Sequence, residues 1–379
     1  MRASWMRRYL PVAVVAVAAS VLPLRASALT LPAATSPTAA RPSAPGLTTA
    51  LEGVPRFDHV VVLVLENENF NVTWNAANAP YLNGLRNDAS TTKPYGNVFA
   101  DHYYATGHAS LDNYIAMISG QPDQPLTGSD CLAVSLWVCA QGQLLMANGR
   151  NLADQLEEQG LSWKGYMDSM PSPCFHQEYS PTVLTPDPYQ GDSQAPPAKD
   201  YADRHNPFLY FPNIVGNPSR CEAHVRPYTE LAGDLVANAL PHFSFITPDT
   251  CHDGHDAPCS DGSIGGMKGA DNWLSEAVPP LLTYLSAHNG LLIITLDENG
   301  FSDPEMPPGC CSGGIGGVLP GFGGRIGLLA LGPGLGTHKT VTTSYDHMSL
   351  LRTIESSFGM GEHLNNAAQA SSMADLFAP

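Results

Sequence analysis

Charge is scarce in this 379-residue chain: Asp, Glu, Lys and Arg make up 14% of it, and 18 basic against 35 acidic residues leave a formal net charge of −17. Such a chain lacks the basic face that a nucleic-acid backbone asks for, so nucleic acid is excluded as a partner. No glycine period, heptad run or internal repeat is present, which excludes collagen-like and coiled-coil architectures. After the first 28 residues no apolar run reaches the ~18 residues that span a bilayer, so stable membrane insertion is not expected. CxxC pairs are absent as well, and the adjacent Cys310 and Cys311 cannot easily both face one ion. The 8 cysteines therefore read as disulfides rather than zinc ligands, with Cys131/Cys139 and Cys251/Cys259 as short loop staples.

What is present begins with an export signal. Arg7 and Arg8 form a positive start, Leu10 to Leu24 is apolar, and Ala26-Ser27-Ala28 is a small-residue cleavage site, so residues 1–28 are expected to be a secretory signal peptide, with a retained anchor as the alternative. Cleavage removes four arginines and no acid, which takes the formal charge from −17 to −21. Residues 29–55, with Pro32, Pro37, Pro42 and Pro45 among Ala, Ser and Thr, have too little to bury and are expected to be a disordered spacer. Residues 56–379 are expected to form a single catalytic domain of a secreted, extracellular protein.

Four apolar runs read as buried strands: 59–65, 243–247, 291–296 and 326–331. Helical patterns at about 110–119, 151–159, 229–239, 271–288 and 347–358 alternate with them, so the fold is expected to be α/β with a mostly parallel sheet. The Pro-, Tyr- and Asn-rich stretch 167–227 and the Gly-rich stretch 299–324 are long enough to form the rims of a cleft.

Polar residues collect where the strands stop. The first ends in Glu66-Asn67 and another in Asp297-Glu298. The carboxyl ends of parallel strands line the ligand crevice, so these pairs are expected to meet and offer oxygen ligands to Ca²⁺, Mg²⁺ or Mn²⁺. Taken singly, either pair does no more than cap the next element. Ser110 opens a helix whose free N–H groups favour an anion, and a cation nearby would make it a nucleophile; the plain alternative is an N-cap. Between Asp249 and Asp256 lie His252, Asp253 and His255, able to ligate a cation, bind phosphate or protonate a leaving group. His347 adds another imidazole at a helix start.

In chain order, Glu66-Asn67, His108-Ala109-Ser110-Leu111-Asp112-Asn113-Tyr114, Asp253-Gly254-His255-Asp256, Leu296-Asp297-Glu298 and Tyr345-Asp346-His347-Met348 resemble the secreted phosphoesterase family that joins acid phosphatases with bacterial phospholipases C, within the alkaline phosphatase superfamily. The resemblance runs from Phe57 to Phe358. It implies a three-layer α/β/α sandwich, a phosphoserine-type intermediate on Ser110, and a divalent metal ion held by Glu66, Asn67, Ser110, Asp297 and Glu298. Asn113 matches the position that binds a phosphate oxygen in related phosphodiesterases; His108 and Asp253 are further substrate-binding candidates, His108 for phosphate contact and Asp253 as an orienter or ligand. Apart from the resemblance, His255 and His347 are the candidate catalytic histidines, as proton donors to the leaving group or as ligands of a second cation. The chain departs from the family pattern at Asp112, where proline is common, and at Asp249, where asparagine is.

The stretches Gly165-Tyr166-Met167 and His205-Asn206-Pro207-Phe208 look like the acid phosphatase branch. The expected function is a secreted, metal-dependent acid phosphatase acting on small phosphate monoesters. Phospholipase C or another phosphodiesterase is the alternative, and a non-catalytic secreted calcium-binding protein is the rival from another class. Zinc remains among the metals considered, and the oligomeric state stays open.

Overall fold

Successive residues of a strand point to opposite faces of its sheet, so a strand buried at every position must be covered on both sides. The computed structural model describes residues 51–131, 138–140, 149–176, 199–300, 310–311 and 323–378, and four strands of its central sheet meet that condition in full. Strand β1 (His59–Leu65) is buried at all positions but its first, and β7 (Gly290–Leu296) at all seven. Helices on both faces follow, and the three-layer α/β/α arrangement is the result.

Among the described residues, eight strands form the central sheet. With β2 (Gly96–Ala100), β4 (Trp163–Met167), β5 (Val225–Pro227), β6 (Phe243–Thr247), β8 (Leu328–Gly332) and β9 (Lys339–Val341), the order is β5-β4-β6-β1-β7-β8-β2-β9. Only β8 runs against its neighbours, so the sheet is mostly parallel as expected. The four anticipated runs are β1, β6, β7 and β8, placed within two residues. Strands β2, β4, β5 and β9 were not anticipated, because they are short and interrupted by Asn97, Lys164, Arg226 and Lys339.

The anticipated helices form at Ser110–Ser119, Leu152–Glu158, Gly266–Ala287 and His347–Ser357. The fifth is a 3-10 turn, Tyr228–Glu230, that runs into Leu231–Val236. Ser110–Ser119 packs on His347–Ser357, while Gly266–Ala287 packs on β7, β8 and the Pro80–Asn87 helix. A separate two-stranded sheet pairs β3 (Tyr103–Tyr104) with β10 (Tyr345–Asp346).

All described residues fall in one compact unit, Leu47–Pro379. The expected signal peptide and the spacer up to residue 50 lie outside the described residues. Leu51–Pro55 are described: Val54 is fully buried, and Glu52 pairs with Arg352 at 2.5 Å. The cysteines pair as 131–139, 174–221, 251–259 and 310–311, so both short loop staples form and no thiolate is left for a metal. Among the described residues no helix is long and apolar enough to cross a membrane.

Candidate active site

Strands β1 and β7 are neighbours in register, Leu65 opposite Leu296, so the residues that follow them emerge side by side. The two acidic pairs therefore meet although 230 positions separate Asn67 from Asp297 in the chain. The Asn67 N–H donates to Asp297 Oδ1 at 3.3 Å, and the Asp297 N–H donates to the Leu65 carbonyl at 3.0 Å. On the other side β6 adjoins β1, and the loop that follows it is tied down where the Glu66 N–H donates to the Asp253 carbonyl at 2.9 Å. Gly254 lies against this contact with φ +116°, and a Cβ there would sit 3.0 Å from the Glu66 carbonyl oxygen. A side chain would push the loop off the strand end.

Ser110 is the first residue of its helix and 3% exposed; its hydroxyl donates to Glu66 Oε2 at 3.0 Å. Around the same carboxylate stand His205, with Nε2 3.4 Å from Glu66 Oε2 and Nδ1 3.4 Å from Asp253 Oδ2, and then His255. The His255 N–H donates to Asp253 Oδ1 at 2.8 Å, its Nδ1 meets Asp256 Oδ1 at 2.9 Å, and its Nε2 lies 3.5 Å from Arg204. Glu66, His205 and Asp253 are all buried, with ligating atoms within 4.8 Å of one another.

This is an expensive collection of charge. Burial, and next the Asp297 charge, push Glu66 well above the usual carboxylate range; burial and then Glu298 do the same to Asp297, and burial and then Glu66 to Glu298 and Asp253. Burial, helped by the charges of Arg204 and His255, holds His205 well below the usual range. Glu66 Oε1, Asn67 Oδ1, Asp253 Oδ2 and Asp297 Oδ2 are buried without a hydrogen-bond partner. Buried acceptors this close repel one another, and a divalent cation with oxygen ligands relieves both the repulsion and the lost hydration. The donor set thus fits a metal ion. A second grouping, Asp249, Cys251 and His252, does not, because Cys251 is in a disulfide.

The remaining predicted residues divide. His108 is brought in: its Nδ1 meets Glu298 Oε2 at 2.9 Å, and burial lowers its pKa. Asn113 is not. Its Oδ1 accepts from Thr106 N, Thr106 Oγ1 and Gly107 N, and its Nδ2 donates to the Gly107 and Ala109 carbonyls, all at 2.9–3.0 Å, so the amide is consumed in shaping the loop before Ser110. His347 stands behind the site, with both ring nitrogens engaged by Tyr103 and the Asp297 carbonyl. Sequence reasoning missed His205 and Arg204 as site residues. Both fall in the irregular 167–227 stretch, where no periodicity gives a direction, and the one signal was the short polar cluster Arg204-His205-Asn206 inside an otherwise aromatic segment.

A probable acid phosphatase of Kluyveromyces lactis is 29% identical over 202 residues, 52% of this chain and 40% of that protein. A phosphatidylinositol-3-phosphatase of Mycobacterium tuberculosis is 24% identical over 311 residues, 82% of this chain and 80% of that one. The chain spans only 40% and 38% of the length of two fungal acid phosphatases that it matches. A Vibrio parahaemolyticus protein in the alkaline phosphatase superfamily, 13% identical, superposes with a TM-score of 0.52 over 86% of this chain and 71% of its own, which shows a shared fold. With the family model for phosphoesterases matching residues 95–361, the chain belongs to the phosphoesterase family.

Proposed function

We propose that this protein is an exported, metal-dependent phosphomonoesterase of acid phosphatase type, working through a phosphoserine on Ser110. The observation that carries the reading is the Ser110 hydroxyl at the start of a buried helix, 3.0 Å from Glu66 Oε2 among orphaned carboxylate oxygens. Glu66, Asn67, Asp297 and Glu298 would hold the cation beside Ser110. When bound, it would supply positive charge for the nucleophile and for the phosphoryl oxygens.

The protein's own groups do the rest. Ser110 Oγ forms a bond to phosphorus as the ester oxygen leaves on the opposite side, and the hydroxyl proton departs along its hydrogen bond to Glu66 Oε2. The positive end of the helix dipole favours the anion, while the Leu111 N–H is already taken by Asp130. His255, held by Asp256, returns a proton to the leaving oxygen, and water then hydrolyses the phosphoserine. Hydrolysis of an aryl phosphate, a bis-aryl phosphate and phosphatidylcholine, each with and without chelator, tests this. The monoester is expected to be cleaved best and chelator to stop it; chelator-insensitive turnover, or preference for a diester, would refute the reading.

A second reading is favoured by length. The Mycobacterium relative named as a phosphatidylinositol-3-phosphatase matches over 80% of its own chain, so a lipid-borne monoester suits the same chemistry.

A further inference from the structure

His205 is 2% exposed, and neither of its ring nitrogens has a hydrogen-bond partner. The residue is nevertheless held in place: the Thr247 hydroxyl, at the end of β6, donates to the His205 carbonyl at 3.1 Å, and the Tyr114 ring stacks on the imidazole at 5.4 Å and 12°. Nε2 then faces Glu66 Oε2 and Nδ1 faces Asp253 Oδ2, each at 3.4 Å, while Asp253 Oδ2 and Glu66 Oε1 are orphaned as well. A neutral imidazole has one N–H and one lone pair, so in either tautomer a lone pair is turned toward a carboxylate oxygen. An imidazolium would donate to both acids, yet neither contact has hydrogen-bond geometry. Ligands about 2.0–2.2 Å from a tetrahedral ion stand roughly 3.3–3.6 Å apart. The 3.4 Å contacts fall in that range.

The sheet order puts these donors on one flank of Glu66 and the expected ligands on the other. Glu66 follows β1; β6, which leads to Asp253, adjoins one edge of β1, and β7, which leads to Asp297 and Glu298, adjoins the other. The grouping of ligating atoms within 4.8 Å takes in Glu66, His205 and Asp253 and, among the described residues, neither Asp297 nor Glu298. An ion that gathers His205 and Asp253 therefore does not gather both acids of the β7 flank. We propose that His205 and Asp253, with Glu66 as the shared carboxylate, bind a second cation of the Zn²⁺ type beside the oxygen-ligated one. An imidazole among the donors suits Zn²⁺ above Ca²⁺ or Mg²⁺, and the ring nitrogen that does not ligate turns its proton to the neighbouring acid, as a metal-bound histidine commonly does. Three protein ligands leave a fourth position open to water or to a phosphate oxygen. The inference rests on the metal-dependent reading of the Ser110 centre for its first ion.

Chelator-stripped protein titrated with Zn²⁺ alone by calorimetry, with elemental analysis of the product, decides the matter. Wild type is expected to hold two equivalents. Asp297→Asn, which weakens the oxygen-ligated position, is expected to hold one that still raises Tm. In that background His205→Ala should weaken Zn²⁺ binding at least tenfold. Asp253→Asn should do the same, and it keeps the test intact if His205→Ala, which opens a cavity, does not fold. A single equivalent in wild type, or Zn²⁺ binding in the Asp297→Asn background that Asp253→Asn leaves undiminished, would overturn the proposal and make His205 a ring packed between two acids. Because binding and not turnover is read, an inactive protein that takes up both ions would refute the phosphomonoesterase reading and uphold the second site.

Discussion

His347 Nε2 lies 2.6 Å from the main-chain oxygen of Asp297, while its Nδ1 lies 2.9 Å from the Tyr103 hydroxyl. Burial holds the pKa of this ring down to about 4, so it is neutral and only one nitrogen carries a proton. A carbonyl oxygen can only accept, so Nε2 is the donor and Tyr103 donates to Nδ1. The ring thereby fixes the main chain at which Asp297 leaves the sheet, and we assign it a positioning role. His347→Ala should lower metal content and kcat by about 10–100-fold, as loss of a group that orients a metal ligand does. His347→Gln, which keeps a donor, should retain more of both. Elemental analysis and kcat measure this, and unchanged values in a folded His347→Ala protein would reduce the ring to packing.

Ser110→Ala should leave the fold intact, since the side chain makes a single hydrogen bond, to Glu66. It should cost kcat on the order of 10³ or more, as loss of a nucleophile does. Acid-quench trapping of phosphoenzyme gives an independent reading: the wild type should carry label on Ser110 and the variant none. Turnover near the wild-type level would remove Ser110 from the chemistry.

Asn113→Ala is expected to act on stability first. It strips the acceptor from the buried N–H groups of Thr106 and Gly107, each worth about 1–3 kcal/mol when left unsatisfied. Denaturant unfolding should show a loss of roughly 2–6 kcal/mol. A raised KM at undiminished stability would instead put the amide on the substrate.

The pairing of Glu52 with Arg352 predicts a pH dependence. The Arg352 guanidinium holds the Glu52 carboxyl below its ordinary value of 4.5. A carboxyl whose pKa is depressed by folding contributes stability above its unfolded pKa and loses it as pH falls through the folded value. Wild type should therefore exceed Glu52→Gln by up to about 1 kcal/mol near neutrality, the ordinary worth of a partly exposed ion pair. Thermal unfolding at several pH values should show the gap closing in acid. A gap that stays constant would assign the effect to packing.

The local order of residues determined much of this protein. Apolar runs that stop at Glu66 and Asp297 can be read as strands because burial on two faces is written in consecutive residues, and the rule that parallel strands present their carboxyl ends to the ligand brought those acids together before any coordinates did. Ser110 and its helix were legible for the same reason, since helical spacing is local. What only the tertiary structure decided is which strands adjoin and where each side chain points. The register of Leu65 with Leu296 sets Glu66 beside Asp297, and the irregular chain around Arg204 and His205 carries both to the site. Folding turned the Asn113 amide into the Ser110 loop and put His347 behind Asp297, while it left the Asp112 oxygens without donors. These outcomes depend on contacts between residues tens to hundreds of positions apart, and no periodicity along the chain encodes them.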